Sequence, residues 1–420
     1  MEDLKRKYAN FMLTRCISIK DSEPLLIDYS KQQTDFANIL KEEAKKMGIT
    51  EIYDLYHDYD KAYEILMNSS LEEIKNNPYF DRSILKDVYH AGGSLIMLYS
   101  YEKTGLDKVP KEKRDLIRKI SLETQGDAIE ARRKFKFPYT IVAVATKEWA
   151  DKVFPNEENN LEKLWNIILD ITLMKNDNPV NSWNEKIENN NKKRNYLNEL
   201  KLKKLKYKNS LGTNLELELP DDVIWWGAGK KSFDGKKDLI TNMPTEEVYT
   251  TPLKHGVNGV VYTSKPLVIS GTPINQLKLT FKDGKLIDVW ASNDLEKVLY
   301  EVDSIEGMRY LGECALVDYN SPISNTDMIF NCTLIDENAS CHLALGDGFP
   351  KVIPNGDNMT YEELIEKGIN RCLAHTYFMI GTKDLEIIGT DIYGNDIPIF
   401  VDGNFALEKV KKFIKERKDK

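Results

Sequence analysis

The chain has 420 residues, 41% of them hydrophobic and 30% charged, with a formal net charge of -8. That acidic balance, with a pI near 5.5, argues against nucleic acid or anionic membrane as a general partner. A mean hydropathy of -0.48 fits a soluble globular protein, no apolar run reaches the roughly eighteen residues of a membrane span, and the length predicts two or three domains.

The first six residues, Met1 to Arg6, are charged and carry no apolar stretch of the signal-peptide kind. Five cysteines (Cys16, Cys314, Cys332, Cys341, Cys372) are scattered without a paired spacing, which suggests reduced thiols. Both features point to a cytoplasmic protein.

In chain order, Phe36, Ile39, Leu40 and Ala44 recur at helical spacing, predicting a helix over Asp35 to Met47 that Gly48 closes. Ile49 to Leu55 reads as a strand, and Ser70 with Glu73 forms a capping-box signature. Leu95 to Tyr99 and the β-branched run Thr140 to Ala145 read as further strands, the latter covered on both faces. Strands separated by helices predict an α/β domain. From Glu148 to Lys206 the pattern is mainly helical, with Trp149, Trp165 and Trp183 read as packing residues and the Lys-rich stretch Asn191 to Lys208 as a solvated face.

After Gly212 the character turns to β. Leu215, Leu217 and Leu219 alternate with Glu216 and Glu218, and strand candidates follow at Gly259 to Thr263, Leu267 to Ser270, Gln276 to Phe281 and Leu286 to Ala291. Asp283-Gly284 carries a hairpin signal. The expected fold is an α/β N-terminal domain over 1–210, followed by a β-rich α+β C-terminal domain over 211–420 that carries the metal site.

Donor atoms concentrate in three segments of the second half. They are Asn242 to Pro252 with Glu246 and Glu247, Gly312 to Pro350 with Glu313, Glu337 and His342, and His375 to Gly381. The apolar runs ending near Glu313 and at Met328 to Ile335 are read as strands that hold these groups at the rim of a packed sheet. Carboxylates and imidazoles drawn from separate elements suit a hydrolytic divalent metal such as zinc, cobalt or manganese. No spacing here is a tight local signature. A solvated Glu246–Glu247 pair, a turn-capping Glu313 and satisfied core histidines at His342 and His375 are the competing readings.

NMPTEEVYTTP, LGECALV, FNCTLIDENASCHLALG and HTYFMIG, in that order, resemble the motifs of a metallo-aminopeptidase family. It is the one typified by thermophilic aminopeptidase T and staphylococcal aminopeptidase S. The likeness extends to FPYTIVAVATKEWADKVFP upstream and PIFVDGNFAL downstream. It implies a homodimer with two divalent ions that hydrolyses N-terminal residues from peptides through a metal-activated water. By motif, Glu247, Glu313, His342 and His375 would be metal ligands, with Glu246 or Glu337 as proton carrier. Two positions depart from the pattern: Tyr377 stands where the family has a liganding aspartate, and Phe349 where it has a tyrosine aimed at the tetrahedral intermediate. Tyr377 could ligate as a phenolate, Asp347, Asp384 or Asp391 could substitute, or only one ion could bind. The alternative implied by these departures is an inactive or altered homologue that binds peptide or another small ligand in the same cavity.

Overall fold

A computed structural model describes residues 1–269 and 272–418 of the chain. The residues fall into two units, one of Met1–Asn184 with Gly229–Pro244, the other of Glu185–Ala228 with Thr245–Lys420.

The first unit is built on a parallel sheet of β1 (Leu25–Ser30), β2 (Ile52–His57), β3 (Ser94–Tyr99) and β4 (Tyr139–Ala143). In space the order is Asn242–Met243, β4, β3, β1, β2, with every neighbouring pair parallel. β1 has no clear sequence signature because Asp28 interrupts its apolar run, yet it pairs on both sides. The expected helix appears as Thr34–Lys46 and buries Phe36, Ile39, Leu40 and Ala44. The capping box forms as expected, Glu73 N donating to Ser70 Oγ and Ser70 N to Glu73 Oε2. The helical stretch resolves into Lys147–Val153, Asn160–Ile171 and Pro179–Leu200 but stops short of the expected Lys206, because Leu202–Lys208 is a strand; all three tryptophans are buried.

The second unit contains two sheets. The larger has eight strands in the order Lys285–Ala291, Leu277–Lys282, Val257–Tyr262, Asn214–Glu218, Leu202–Lys208, Glu386–Asp391, Asp396–Val401, Asn404–Phe405. Leu215 and Leu217 are buried while Glu216 and Glu218 are half-buried, the half-covered strand that the alternation predicts. Lys282 pairs with Lys285 across Asp283 and Gly284, both at positive φ, which is the two-residue turn that Asp-Gly favours. Of the expected strand at 267–270, Leu267–Ile269 is extended, and Ser270 lies outside the described residues.

The smaller sheet has five strands. In chain order these are β5 (Trp226–Gly227), β6 (Val248–Thr250), β7 (Leu311–Leu316), β8 (His342–Gly346) and β9 (His375–Met379), and in space they run β9, β8, β7, β6, β5, all antiparallel. One apolar core joins the two sheets, drawing Leu217, Leu279 and Ile387 from the larger and Val248, Leu316, Leu343, Leu345 and Phe378 from the smaller. Those residues occupy one parity of the smaller sheet's strands, which leaves the other parity to form a polar face.

One expectation is corrected here. Met328 to Ile335 is not a strand: it leads into a short helical turn, Thr333–Asp336. The Asp336 carboxylate accepts from Phe330 N at 2.7 Å and Cys332 N at 3.0 Å, which holds the backbone in a turn rather than a ladder. Glu313 also lies inside β7, not at its end. The acidic and imidazole groups therefore stand on the sheet's face and not simply along its rim.

Gly346 sits opposite His375 in the β8–β9 ladder. Its φ of +106° and the Ala374 carbonyl, 2.1 Å from where a Cβ would lie, leave room for glycine alone. Gly346→Ala is expected to cost at least ~1 kcal/mol, read as a lower urea midpoint; an unchanged midpoint would contradict the packing described.

Candidate metal centre

Register explains why distant segments meet. Glu313 pairs with Ala344 and Ala344 with Tyr377, so one row across the sheet carries Glu313 and Tyr377 on the same face. His342 lies two residues before Ala344 and His375 two before Tyr377, and a period of two keeps both on that face. In β6, Tyr249 pairs with Ala315, itself opposite His342, so Tyr249 shares the face and Glu247, two residues earlier, has the same parity.

The resulting cluster is tight. Single ligand atoms of Glu247, Glu313 and His342 all lie within 4.8 Å of one another. His342 Nε2 is 3.3 Å from Glu247 Oε2, and His375 Nε2 is 3.0 Å from Glu313 Oε2. Glu313 is only 5% exposed and His342 only 1%.

Both imidazoles are oriented from behind. His342 Nδ1 lies 3.1 Å from the Ser340 carbonyl, and His375 Nδ1 lies 2.9 Å from the Asp347 carbonyl. A carbonyl can only accept, so Nδ1 carries a proton in each ring and Nε2 is turned toward a carboxylate. A neutral imidazole would then set a lone pair against an acceptor oxygen. Only a proton or a cation between them reconciles the contact.

The electrostatics agree. Burial alone would lower the pKa of His342, but the Glu247 hydrogen bond and the charges of Glu313, Glu247 and Glu337 raise it to about 9. Burial is likewise overcome at His375, which is raised by its bond to Glu313. Burial would raise Glu313, yet the His375 bond and the two imidazolium charges carry it below the usual carboxylate range. These groups titrate as a set that seeks positive charge.

Glu337 is half-buried beside the cluster, and burial followed by the Glu247 charge pushes its pKa to about 8. Glu246 is differently placed. Its carboxylate is ion-paired with Lys186, and its backbone N donates to Asn338 Oδ1 at 2.7 Å. Tyr377 packs edge-on to His342 at 6.3 Å between ring centroids. Burial and the charges of Asp336 and Glu337 push its phenol well up, so it enters the site neutral. The Phe349 ring lies 5.5 Å from that of His375 and 5.1 Å from that of Tyr249.

The three candidate substitute acids do different work. Asp384 accepts from Ser210 N and Thr382 Oγ1, and Asp391 from the backbone of Tyr393 and Asn395. The Asp347 carboxylate accepts from Cys372 N, while its carbonyl orients His375.

Two positioning residues escape a sequence reading. Asn190, on the helix Pro179–Leu200, donates to the carbonyls of both Glu246 (3.2 Å) and Glu247 (2.9 Å) and accepts from Ala228 N. Asn338 ties the same segment by accepting from Glu246 N. Asn338 has only its place inside FNCTLIDENASCHLALG as a signal, and Asn190 stands in a charged helical stretch with none of its own.

The donor set, two carboxylates and two imidazoles with Nδ1 capped, is the chemistry of a divalent transition-metal site, where a carbonyl on the outer nitrogen fixes the ring and raises its basicity. The thermophilic metalloprotease (M29) family matches residues 1–405. Among curated relatives, aminopeptidase AmpS of Bacillus subtilis is 34% identical over 95% of this chain and 97% of its own. Aminopeptidase T of Thermus thermophilus is 28% identical over 97% of this chain and 100% of its own. The solved structure of wild-type AmpT from Thermus thermophilus superposes with a TM-score of 0.86 at 27% identity, covering 96% of this chain and 99% of that one. With its fold, its ordered motifs and its donor cluster in agreement, the chain belongs to the thermophilic metalloprotease (M29) family.

Proposed function

We propose that this chain is a metal-dependent aminopeptidase in which Glu247, Glu313, His342 and His375 hold the cation. The observation that carries the assignment is the pair of Nε2-to-carboxylate contacts at 3.3 and 3.0 Å, with both Nδ1 atoms already committed. A divalent cation bound there supplies Lewis acidity, lowering the pKa of water and polarising a carbonyl. Tyr377 removes a carboxylate from the donor set, which favours one firmly held ion where the resemblance implies two.

The chain's own residues do the rest. Burial of the acidic face excludes bulk water and strengthens its field on a substrate's α-ammonium group. Glu337, half-buried beside Glu247, takes a proton from the attacking water on its carboxylate oxygen. The water oxygen bonds to the carbonyl carbon. As the C–N bond breaks, Glu337 returns the proton to the departing nitrogen, leaving a free amino acid and a peptide shortened by one residue. Glu246, tied to Lys186, serves better as an anchor for the segment leading into β6 than as the proton carrier.

Substrates on this reading are peptides with a free amino terminus. Five buried free cysteines are in keeping with a cytoplasmic setting, and no helix among the described residues is long and apolar enough to cross a membrane. A homodimer rests on the family resemblance alone.

Two tests follow. Glu337→Gln is expected to keep its metal, measured by plasma mass spectrometry, while kcat on aminoacyl p-nitroanilides falls by about 100- to 10,000-fold; unchanged turnover would remove Glu337 from the mechanism. The double variant Phe349→Tyr with Tyr377→Asp is expected to raise both turnover and the number of ions bound. A variant that binds two ions with no gain in rate would contradict this account of the two departures.

A further inference from the structure

The candidate site is short of free donors. Glu247, Glu313 and Glu337 bring carboxyl groups, the two Nδ1 protons are committed to backbone, the neutral Tyr377 phenol is hydrogen-bonded to Thr333, and Phe349 presents an apolar ring beside His375. Hydrolysis of an amide nevertheless puts negative charge on the carbonyl oxygen, and preorganised donors aimed at that charge are among the largest contributions to catalysis.

One cation is built into the wall beside this cluster. Lys351 is half-buried, and its Nζ lies 5.8 Å from the Trp226 ring centroid, 5.8 Å from that of Tyr249 and 5.9 Å from that of Phe349. Three rings around one ammonium hold it by cation–π attraction in a partly desolvated box. Its backbone is pinned as well, since Trp226 Nε1 donates to the Lys351 carbonyl at 2.9 Å. The Phe349 ring is a shared wall, with the ammonium on it and the His375 imidazole 5.5 Å away. Burial lowers the lysine's pKa, and the charges of Asp357, Glu247 and Glu313 oppose that shift. A lysine serving only solubility would extend into water and would not be enclosed by aromatic rings.

We propose that Lys351 meets the negative charge developing on the substrate's carbonyl oxygen, replacing a donor that Phe349 cannot supply. The assignment rests on the peptidase reading above and deepens it. The ammonium keeps its proton throughout and donates a hydrogen bond to the oxyanion. The aromatic box of Trp226, Tyr249 and Phe349 holds the side chain against the ring on which His375 also packs, so little ordering is needed when substrate arrives.

The test compares two probes by calorimetry on zinc-loaded protein: the phosphonic acid analogue of leucine, tetrahedral and anionic, and leucinamide, with a planar uncharged carbonyl. Lys351→Met, which keeps the length of the side chain in its box, is expected to weaken the phosphonate by about 100-fold and to leave leucinamide nearly unchanged. In parallel, kcat on leucine p-nitroanilide should fall with little change in KM. Lys351→Arg should retain most of the phosphonate affinity, and adding Phe349→Tyr to Lys351→Met should recover part of the loss. Should Lys351→Met fail to fold by circular dichroism, Lys351→Gln carries the same comparison. An equal loss for both probes, no loss for either, or no phosphonate binding by the unaltered protein overturns the proposal. Phosphonate discrimination that depends on Lys351 in a protein that cleaves no aminoacyl anilide supports the lysine's role and rejects the peptidase reading instead.

Discussion

Glu313 is the constraint around which the second unit is arranged. A carboxylate only 5% exposed in the interior of a strand costs several kcal/mol unless positive charge meets it. His342 comes to it from the adjacent strand β8, His375 from β9 beyond that, and Glu247 from the residue just before β6 on its other side. Each added acid deepens the need for positive charge, which is why the pKa values of both imidazoles and of Glu337 are raised. The opposite parity of the same strands is apolar and closes the core against the larger sheet. One alternation thus sets both the stability of the unit and the chemistry of its polar face.

Much of the fold is legible in the chain because its signals are local. The Asp-Gly turn, the capping box at Ser70, the Leu215 to Leu219 alternation and the apolar run at Thr140 each depend on a few neighbouring residues. Strand β1 and the Met328 to Ile335 segment are not legible in this way. In the first an aspartate masks a strand that pairs on both sides, and in the second an aspartate bonding backwards to Phe330 and Cys332 turns an apolar run away from a ladder.

The donor cluster divides along the same line. No spacing in the sequence says that Glu313 will lie 3.0 Å from His375, since that contact depends on pairing across three strands. Only the order of long motifs pointed to those residues. Parity, by contrast, could have separated Glu246 from Glu247: successive residues of an extended segment face opposite ways, and Tyr249 carries the parity of the face. Lys351 is invisible at that level, because its meaning lies in rings contributed by Trp226, Tyr249 and Phe349 from three separate segments.

The measurement that bears most directly on the central claim is X-ray absorption at the zinc edge of the reconstituted protein. A first shell of mixed nitrogen and oxygen donors is expected, with the outer-shell scattering that two imidazoles produce. A shell of oxygen alone, with no imidazole contribution, would contradict it.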